Sequence, residues 1–136
     1  MTDNRTAFDA AIAAWNAGDL DRYLELYDEG IALHGYSEAP MGKAEVRGFY
    51  LGLFDALDDL HLDVVRVVEE GDVLAVHAVM SGTHTGDLFG VPATGTRIQQ
   101  QVMTMLRFAD GRCVERWSVA DTLGVMAQIG ALPQPA

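Results

Sequence analysis

Two side chains of this sequence could carry acid-base chemistry near neutral pH, His34 and Asp121. An unperturbed histidine has a pKa of about 6.5, so it can accept or donate a proton there. Asp121 stands where a predicted strand, 113–120, meets an apolar helix, and apolar neighbours would raise its pKa enough to make it a base. The alternatives are a hydrogen bond from His34 to a loop carbonyl and a helix N-cap for Asp121, the commoner role, in which backbone N–H groups lower the carboxyl pKa.

Aromatic and amide side chains could hold a ligand. Strand alternation sends Gln100 to one face of its predicted strand and its two glutamine neighbours to the other, so at least one glutamine lies in a pocket or at an interface. A register shift of one residue would exchange them. Trp15, Tyr36 and Trp117 belong to an aromatic set larger than a core of this size needs, which indicates a flat apolar ligand, although aromatics at helical spacing are usually core.

Neither a metal nor a cofactor is predicted. Seven residues separate His77 from His84, which puts them on opposite faces of a continuous strand, and no His, Cys and Asp residues have metal-ligand spacing. We expect His77 in the core or at an interface and His84 to pin a loop. Cys113 has no adjacent histidine to activate it. Segment 82–86 has a glycine at each end but does not open a helix, which argues against phosphate binding.

Composition and charge exclude several classes of partner. The chain has 136 residues, a formal net charge of −11 and scattered arginines, which disfavours binding to nucleic acid or to an anionic membrane. No apolar run approaches the roughly 18 residues of a membrane helix. The single cysteine cannot form an intramolecular disulfide and the amino terminus lacks a signal pattern, so the expected location is the cytoplasm.

Helical patterns come first along the chain and strand patterns follow, which indicates one α+β domain over 1–136. The spacing predicts a helix that ends at Gly18, helices over 20–27 and 43–57, and strands over 31–34, 60–68, 73–81, 96–108 and 113–120. Strand 73–81 is apolar on both faces, and the chain has only enough helix to cover one side of a sheet. A homodimer through the sheet is therefore predicted.

Three segments resemble one known family: Trp15-Asn16-Ala17-Gly18-Asp19, the glycine-punctuated loop 82–95, and 110–130 with its Asp-Gly turn and strand-to-helix junction. Over nearly its whole length the sequence is similar to the SnoaL-like polyketide cyclases of the nuclear transport factor two-like superfamily. The resemblance implies a cone-shaped, cystatin-like α+β barrel, in which a curved antiparallel sheet packs around three helices. It also implies one enclosed pocket for an apolar or polycyclic small molecule, and no cofactor.

The residues that act in the family's cyclases are replaced here. Their catalytic carboxylate matches Ser118, and the assisting histidine and glutamine match Thr104 and Val102. A serine hydroxyl without a base has no proton affinity useful near neutral pH. The resemblance also points His34 into the pocket, and register with Thr104 and Ser118 assigns Gln100 to the cavity side.

The predicted site therefore has two catalytic candidates, His34 and Asp121. The predicted ligand-binding residues are Trp15, Tyr36, Gln100, Thr104, Trp117 and Ser118. One hypothesis is a cofactor-independent cyclase, isomerase, lyase or hydrolase that removes a proton beside a carbonyl or activates water. A second is a non-catalytic module that binds or carries the molecule, and a third is an interaction domain whose pocket is filled by Met103, Met105 and the aromatics. Ser118→Asp is expected to restore general-base activity if the pocket is otherwise intact.

Overall fold

A curved five-stranded sheet and four α-helices make up the fold. The computed structural model describes residues 3–132. The helices are α1 (Asn4–Asn16), α2 (Leu20–Tyr23), α3 (Lys43–Ala56) and α4 (Thr122–Gln128), with a short 3-10 turn at Leu24–Leu26. The strands are β1 (Tyr27–His34), β2 (Leu57–Glu70), β3 (Val73–His84), β4 (Arg97–Ala109) and β5 (Arg112–Ala120). The predicted α+β cone is confirmed, and α4 is the helix expected after the last strand.

The strand order in the sheet is β1-β5-β4-β3-β2. Strands β2 to β5 form the predicted antiparallel meander, but β1 pairs with β5 in parallel. The sheet is therefore mixed, and the prediction of a wholly antiparallel sheet is wrong in this detail. Helix α3 carries the chain from β1 to the opposite edge at β2, so β1 reaches the free edge of β5 without a hairpin that would force the two strands to be antiparallel.

Side-chain alternation along β4 resolves the register of the glutamine run. Gln100 is buried and lies opposite Met80 of β3, whereas Gln99 and Gln101 are exposed. Thr104, also buried, lies opposite Ser118 of β5. Helices α1 and α3 cover this inner face with Phe8, Ala11, Trp15, Val46, Tyr50 and Leu53. The inner face of the sheet thus carries both the core and a row of polar side chains.

The helix ends follow local capping and the packing of neighbouring strands. The Asp3 carboxylate accepts a hydrogen bond from the Thr6 amide at 2.7 Å and caps α1. The predicted helix 20–27 is shorter than expected, because Tyr27 already belongs to β1 and packs its fully buried ring against the sheet. Within residues 3–132 no helix has the length and apolarity needed to cross a membrane.

His84 holds the long connection between β3 and β4 in place. Its ring nitrogens lie 2.8 Å from Thr94 Oγ1 and 3.2 Å from the Val91 carbonyl, and its side chain is fully buried. Its backbone N–H donates a hydrogen bond to the Thr96 carbonyl, and its carbonyl accepts one from the Gly95 N–H across the same loop. The expectation that His84 pins this loop is confirmed.

Gly35 allows β1 to leave the sheet directly beside Ser118. Its φ is +93°, and a Cβ added there would lie 2.0 Å from the Ser118 carbonyl oxygen. We expect Gly35→Ala to lower the free energy of unfolding by about 2–4 kcal/mol, because the left-handed backbone and the overlap with main chain both oppose a side chain. Gly18→Ala is the matched control for urea denaturation: its φ is +78° with no atom within 4 Å, so only about 1–2 kcal/mol should be lost. Equal losses would contradict the overlap.

Candidate functional site

A partly enclosed chamber of about 300 Å³ lies between the helices and the inner face of the sheet. This volume is at the small end of the range for small-molecule sites. Its wall is mainly apolar and aromatic, formed by Trp15, Tyr23, Tyr36, Phe49, Tyr50, Leu53, Leu62, Met80, Phe89 and Val102. Its polar side chains are Gln100, Arg116, Ser118 and Thr122. The chamber suits a compact, largely apolar guest that carries a few hydrogen-bonding groups.

Arg116 is the only cationic side chain in this lining, and neutral hydroxyls hold it. Its Nη1 donates to Tyr27 Oη at 2.5 Å and to Tyr23 Oη at 2.8 Å, with Tyr50 Oη at 3.5 Å. Its Nε donates to Thr104 Oγ1 at 2.8 Å and to Ser118 Oγ at 3.1 Å. The guanidinium therefore sits at the centre of a polar cluster on one wall of the chamber.

The tyrosine hydroxyls around Arg116 form a chain of hydrogen bonds. Tyr27 Oη lies 3.0 Å from Tyr23 Oη and 2.7 Å from Tyr50 Oη, and Tyr50 Oη lies 2.9 Å from Tyr36 Oη. The rings pack edge to face, with Tyr23 and Tyr50 centroids 5.0 and 5.1 Å from Trp15. This packing fixes the hydroxyls in place, so the donors and acceptors of the wall are preorganised.

Burial sets the protonation of the polar cluster. It raises the pKa of Tyr27 and Tyr50 well above the usual phenol value, although the Arg116 charge opposes the change. Burial alone would lower the pKa of Arg116, but the surrounding tyrosine oxygens hold it well above its ordinary range. At neutral pH Tyr27 and Tyr50 are therefore neutral phenols beside the Arg116 cation.

One buried donor in the chamber wall lacks a hydrogen-bond partner. The Trp15 indole Nε1 is buried and has no hydrogen-bond acceptor among the described residues. Ser118 Oγ, in contrast, lies 3.0 Å from Thr104 Oγ1 and 3.4 Å from Tyr36 Oη. The buried Trp15 N–H is thus a donor that a guest with an oxygen acceptor would complement.

The sequence predictions missed Arg116, Tyr23 and Tyr50. The available signal was strand alternation, since a cavity-facing Ser118 requires residue 116 to face the same side. Tyr23 and Tyr27 are spaced by one helical turn, which puts both on one side of their segment. Their meeting with Tyr50 could not be read from spacing, because it depends on how α3 packs.

Comparison with known proteins places this geometry in a family. A family model for SnoaL-like polyketide cyclases matches residues 5–129. The chain belongs to this family. It is 27% identical over 124 residues to the nogalonic acid methyl ester cyclase of Streptomyces nogalater, covering 88% of this chain and 91% of that protein. Over 73 residues it is 30% identical to the aklanonic acid methyl ester cyclase DnrD of Streptomyces peucetius, covering 54% and 50% of the two chains.

Solved structures of SnoaL-like proteins show the same fold. AclR of Streptomyces galilaeus, a candidate hydroxylase, superposes with a TM-score of 0.89 at 28% identity and covers 96% of this chain and 97% of its own. IdmH of Streptomyces antibioticus, a candidate polyketide cyclase, gives a TM-score of 0.82 at 28% identity, with 95% and 99% covered. Because these relatives are named for different reactions, the fold alone does not fix the chemistry.

Five of the eight predicted site residues lie at the chamber of this SnoaL-like protein or directly behind its wall. Trp15, Tyr36, Gln100 and Ser118 line it. Thr104 is buried behind them, where it donates to the Trp117 carbonyl at 2.9 Å and accepts from Arg116. Thr104 thus acts as a support for Arg116, and the Ser118 hydroxyl lies at the chamber.

His34 and Trp117 lie on the outer face of the sheet, so the expectation that they face the chamber is wrong. They are register partners across the parallel β1–β5 pair, and their rings stack at 5.4 Å. His34 Nε2 lies 2.8 Å from Glu115 Oε2. Adjacent strand residues point to opposite faces, so Trp117 could not share the cavity side with Ser118.

Glu115 organises a small polar group on that outer face. Hydrogen bonding from His34, followed by that from Arg107, lowers the pKa of the Glu115 carboxyl, with desolvation opposing them. Arg107 Nη2 donates to Glu115 Oε1 at 3.2 Å. His34 is therefore held by a hydrogen bond to Glu115 on the outer face, away from the chamber.

Asp121 caps helix α4 and does not line the chamber. Its Oδ1 accepts from the Gly124 amide at 2.9 Å, and the residue is exposed. This is the geometry of the helix N-cap alternative. The expectation that Asp121 acts as a base in the chamber is wrong, because its carboxylate does not reach the chamber lining. Because Asp121 is the N-cap residue between β5 and α4, its carboxylate turns toward the first amides of α4.

No other cluster in the described residues offers standard catalytic chemistry. Across residues 3–132, His, Cys, Asp and Glu side chains do not gather in groups of three that could hold a metal ion. Cys113 is buried, and burial raises its pKa to about 11, so it is a thiol at neutral pH. Met103 and Met105 lie on the outer face and do not fill the chamber, which removes the argument for a cavity packed shut by them.

Proposed function

We propose that this SnoaL-like chain binds a compact polyketide-type molecule, apolar and polycyclic with carbonyl or enol oxygens, in the chamber at Arg116. The observation that carries the proposal is the combination of an aromatic wall with fixed donors on one side. The flat rings of such a molecule fit against Trp15, Tyr36 and Phe49. Its oxygens would accept from Arg116 and the tyrosine hydroxyls.

The lining favours binding over proton abstraction. Neither a carboxylate nor a histidine belongs to it within residues 3–132. Tyr36 and Ser118 are the hydroxyls closest to a guest at the family's catalytic position, and neither is a base at neutral pH. Binding or carriage of the molecule is therefore the function that the geometry supports best.

A second candidate is catalysis by stabilisation of an enolate. A guanidinium and phenol hydroxyls fixed in a largely apolar site are the groups that stabilise negative charge as it develops on a carbonyl oxygen. Arg116 with Tyr50 and Tyr36 supplies this arrangement. Such a step would release the substrate proton to water, and it suits only substrates whose proton is already acidic.

Tryptophan fluorescence tests the binding proposal, because the chain has only two tryptophans and they lie on opposite faces. In Trp117→Phe the remaining Trp15 reports from the chamber. We expect neutral anthraquinone to quench its emission in a saturable way with a micromolar dissociation constant, since transfer of a flat aromatic molecule from water to an apolar wall is favourable.

Two controls locate the quenching. In Trp15→Phe the remaining tryptophan reports from the outer face, and its emission should change little. His34→Ala should bind anthraquinone as the parent does, because His34 does not line the chamber. Quenching of Trp117 alone, or no saturable quenching of Trp15, would contradict the proposed site.

We also propose that a second copy of the chain covers the outer face of the sheet. Large apolar side chains stand exposed there, with 58% of Met103, 48% of Met105, 40% of Trp117 and 74% of Val119 accessible. They line one groove together with Val68 and His77. An apolar patch of this kind is typical of an interface, and the same face of two identical chains can pair about a two-fold axis.

A further inference from the structure

The geometry points to a ligand with a carboxylate: we propose that Arg116 is an anion-binding residue and that the guest presents its carboxylate to it. This inference rests on the proposed function and adds the charge of the ligand. Two of the relatives named above are methyl ester cyclases, and a methyl ester carries no charge where a free acid carries a carboxylate. Preference for a free acid would distinguish this chain from them.

The first argument is a positive charge without a counterion. Arg116 lies in the chamber wall, and its hydrogen-bond acceptors in the described chain are hydroxyls of Tyr, Thr and Ser. The ion pairs within residues 3–132 involve other cations. Glu115 is next in sequence but points to the opposite face, where it pairs with His34 and Arg107. A cation removed from bulk water and left without an anion is costly, so an anionic guest would relieve that cost.

The second argument is a free edge of the guanidinium. Nε and Nη1 donate to the protein, but Nη2 has no acceptor in the part of the chain described. Arg116 lines the chamber and keeps an intermediate exposure, so a guest can reach it. A carboxylate accepts charge-assisted hydrogen bonds from such an edge more strongly than a neutral carbonyl does.

The third argument is rigidity. Thr104 and Ser118 hold Nε while Tyr23 and Tyr27 hold Nη1, so the plane of the guanidinium is fixed before any ligand arrives. Little side-chain entropy is then lost on binding. The chain as a whole is acidic, with a net charge of −11, but surface charges beyond about 8 Å are screened at physiological salt. Local contact with Arg116 therefore outweighs the general repulsion.

Three probes of nearly equal shape test the inference in the Trp117→Phe protein: anthraquinone-2-carboxylate, its primary carboxamide and its methyl ester. The carboxamide matches the carboxylate in size and differs in charge. We expect the carboxylate to bind about 10- to 100-fold more tightly than either neutral probe, the range for a hydrogen bond to a charged group.

Substitutions assign the preference to Arg116. Arg116→Met should bring the carboxylate and the carboxamide to equal affinity, and neutral anthraquinone should bind more weakly than to the parent but still in a saturable way. Arg107→Gln is the matched control, because it also removes one positive charge but lies on the outer face beside Glu115, and it should keep the preference. If Arg116→Met does not fold, Arg116→Lys keeps the charge and loses the fixed edge, and it should retain a reduced preference.

The outcomes separate the two proposals. Equal binding of carboxylate and carboxamide by the parent overturns the anion site and leaves the proposed function standing. A preference that persists in Arg116→Met also overturns it. Failure of every probe, neutral anthraquinone included, overturns the proposed function itself.

Discussion

Ser118→Asp combined with Arg116→Gln is expected to create a general base in the chamber, and Ser118→Asp alone is not. Ser118 Oγ lies 3.1 Å from Arg116 Nε, so a carboxylate introduced there would pair with the guanidinium. An opposite charge this close lowers a carboxyl pKa by about 1–3 units, and a carboxylate so stabilised is a weak base. The sequence alone suggested that restoring the acid would be sufficient, whereas the position of Arg116 predicts that it is not.

Glutamine is the appropriate replacement for Arg116 because it is neutral and can still form hydrogen bonds with the tyrosine hydroxyls. Without the cation, the apolar wall should raise the pKa of the new carboxyl toward neutrality. We expect the double variant to accelerate deuterium exchange at the carbon between the carbonyls of a β-keto ester by about 10²–10⁴-fold, the usual contribution of a positioned base, as followed by NMR.

Ser37→Asp is the control for this experiment, since it adds the same carboxylate at an exposed position outside the chamber lining. It should leave exchange at the rate of the parent protein. The expectation is wrong if Ser118→Asp alone is as active as the double variant, or if the double variant is folded, binds the ester and shows no acceleration.

Met103→Asp is expected to convert a dimer into monomers. Met103 lies at the centre of β4 on the outer face, beside Met105 and opposite Val119 of β5. In a two-fold dimer the substitution occurs twice, and each buried, unpaired carboxylate costs several kcal/mol. The dissociation constant should therefore rise by roughly a thousandfold or more, which analytical ultracentrifugation over a concentration series can measure.

Ala10→Asp is the matched control for the dimer, because it adds the same charge on the exposed side of α1. It should sediment as the parent does. A parent protein that is monomeric at tens of micromolar, or a Met103→Asp protein that remains dimeric, would contradict pairing through the sheet.

The fold of this family leaves the reaction to the side chains on the inner face. Relatives of this chain are named for cyclisation of methyl esters and, as a candidate, for hydroxylation. Ser118 stands at the position that the resemblance matches to the catalytic carboxylate of the family's cyclases, and its neighbour along the same face is Arg116. A positive charge therefore lies beside the position that this match assigns to a negative one, so a preference for an anionic ligand is the expected consequence.

The sequence by itself determined the family and the order of elements. Strand alternation and turn residues are local properties, so they put Gln100 on the face opposite its glutamine neighbours and His84 in its loop before any coordinates, whereas the family resemblance assigned Gln100 and Ser118 to the cavity side. The same alternation puts Trp117 and Ser118 on opposite faces of β5, so the prediction that both contact the ligand was inconsistent with the pattern it used.

Only the tertiary structure decided what the chamber contains. Tyr23 meets Arg116 across 93 positions of sequence and Tyr50 meets it across 66, and such contacts depend on how helices and sheet pack. The parallel pairing of β1 with β5 likewise moved His34 to the outer face, beside Glu115. Local spacing fixes which face of an element a residue occupies, but the packing of distant elements fixes which residues surround a charge and hence the chemistry of the site.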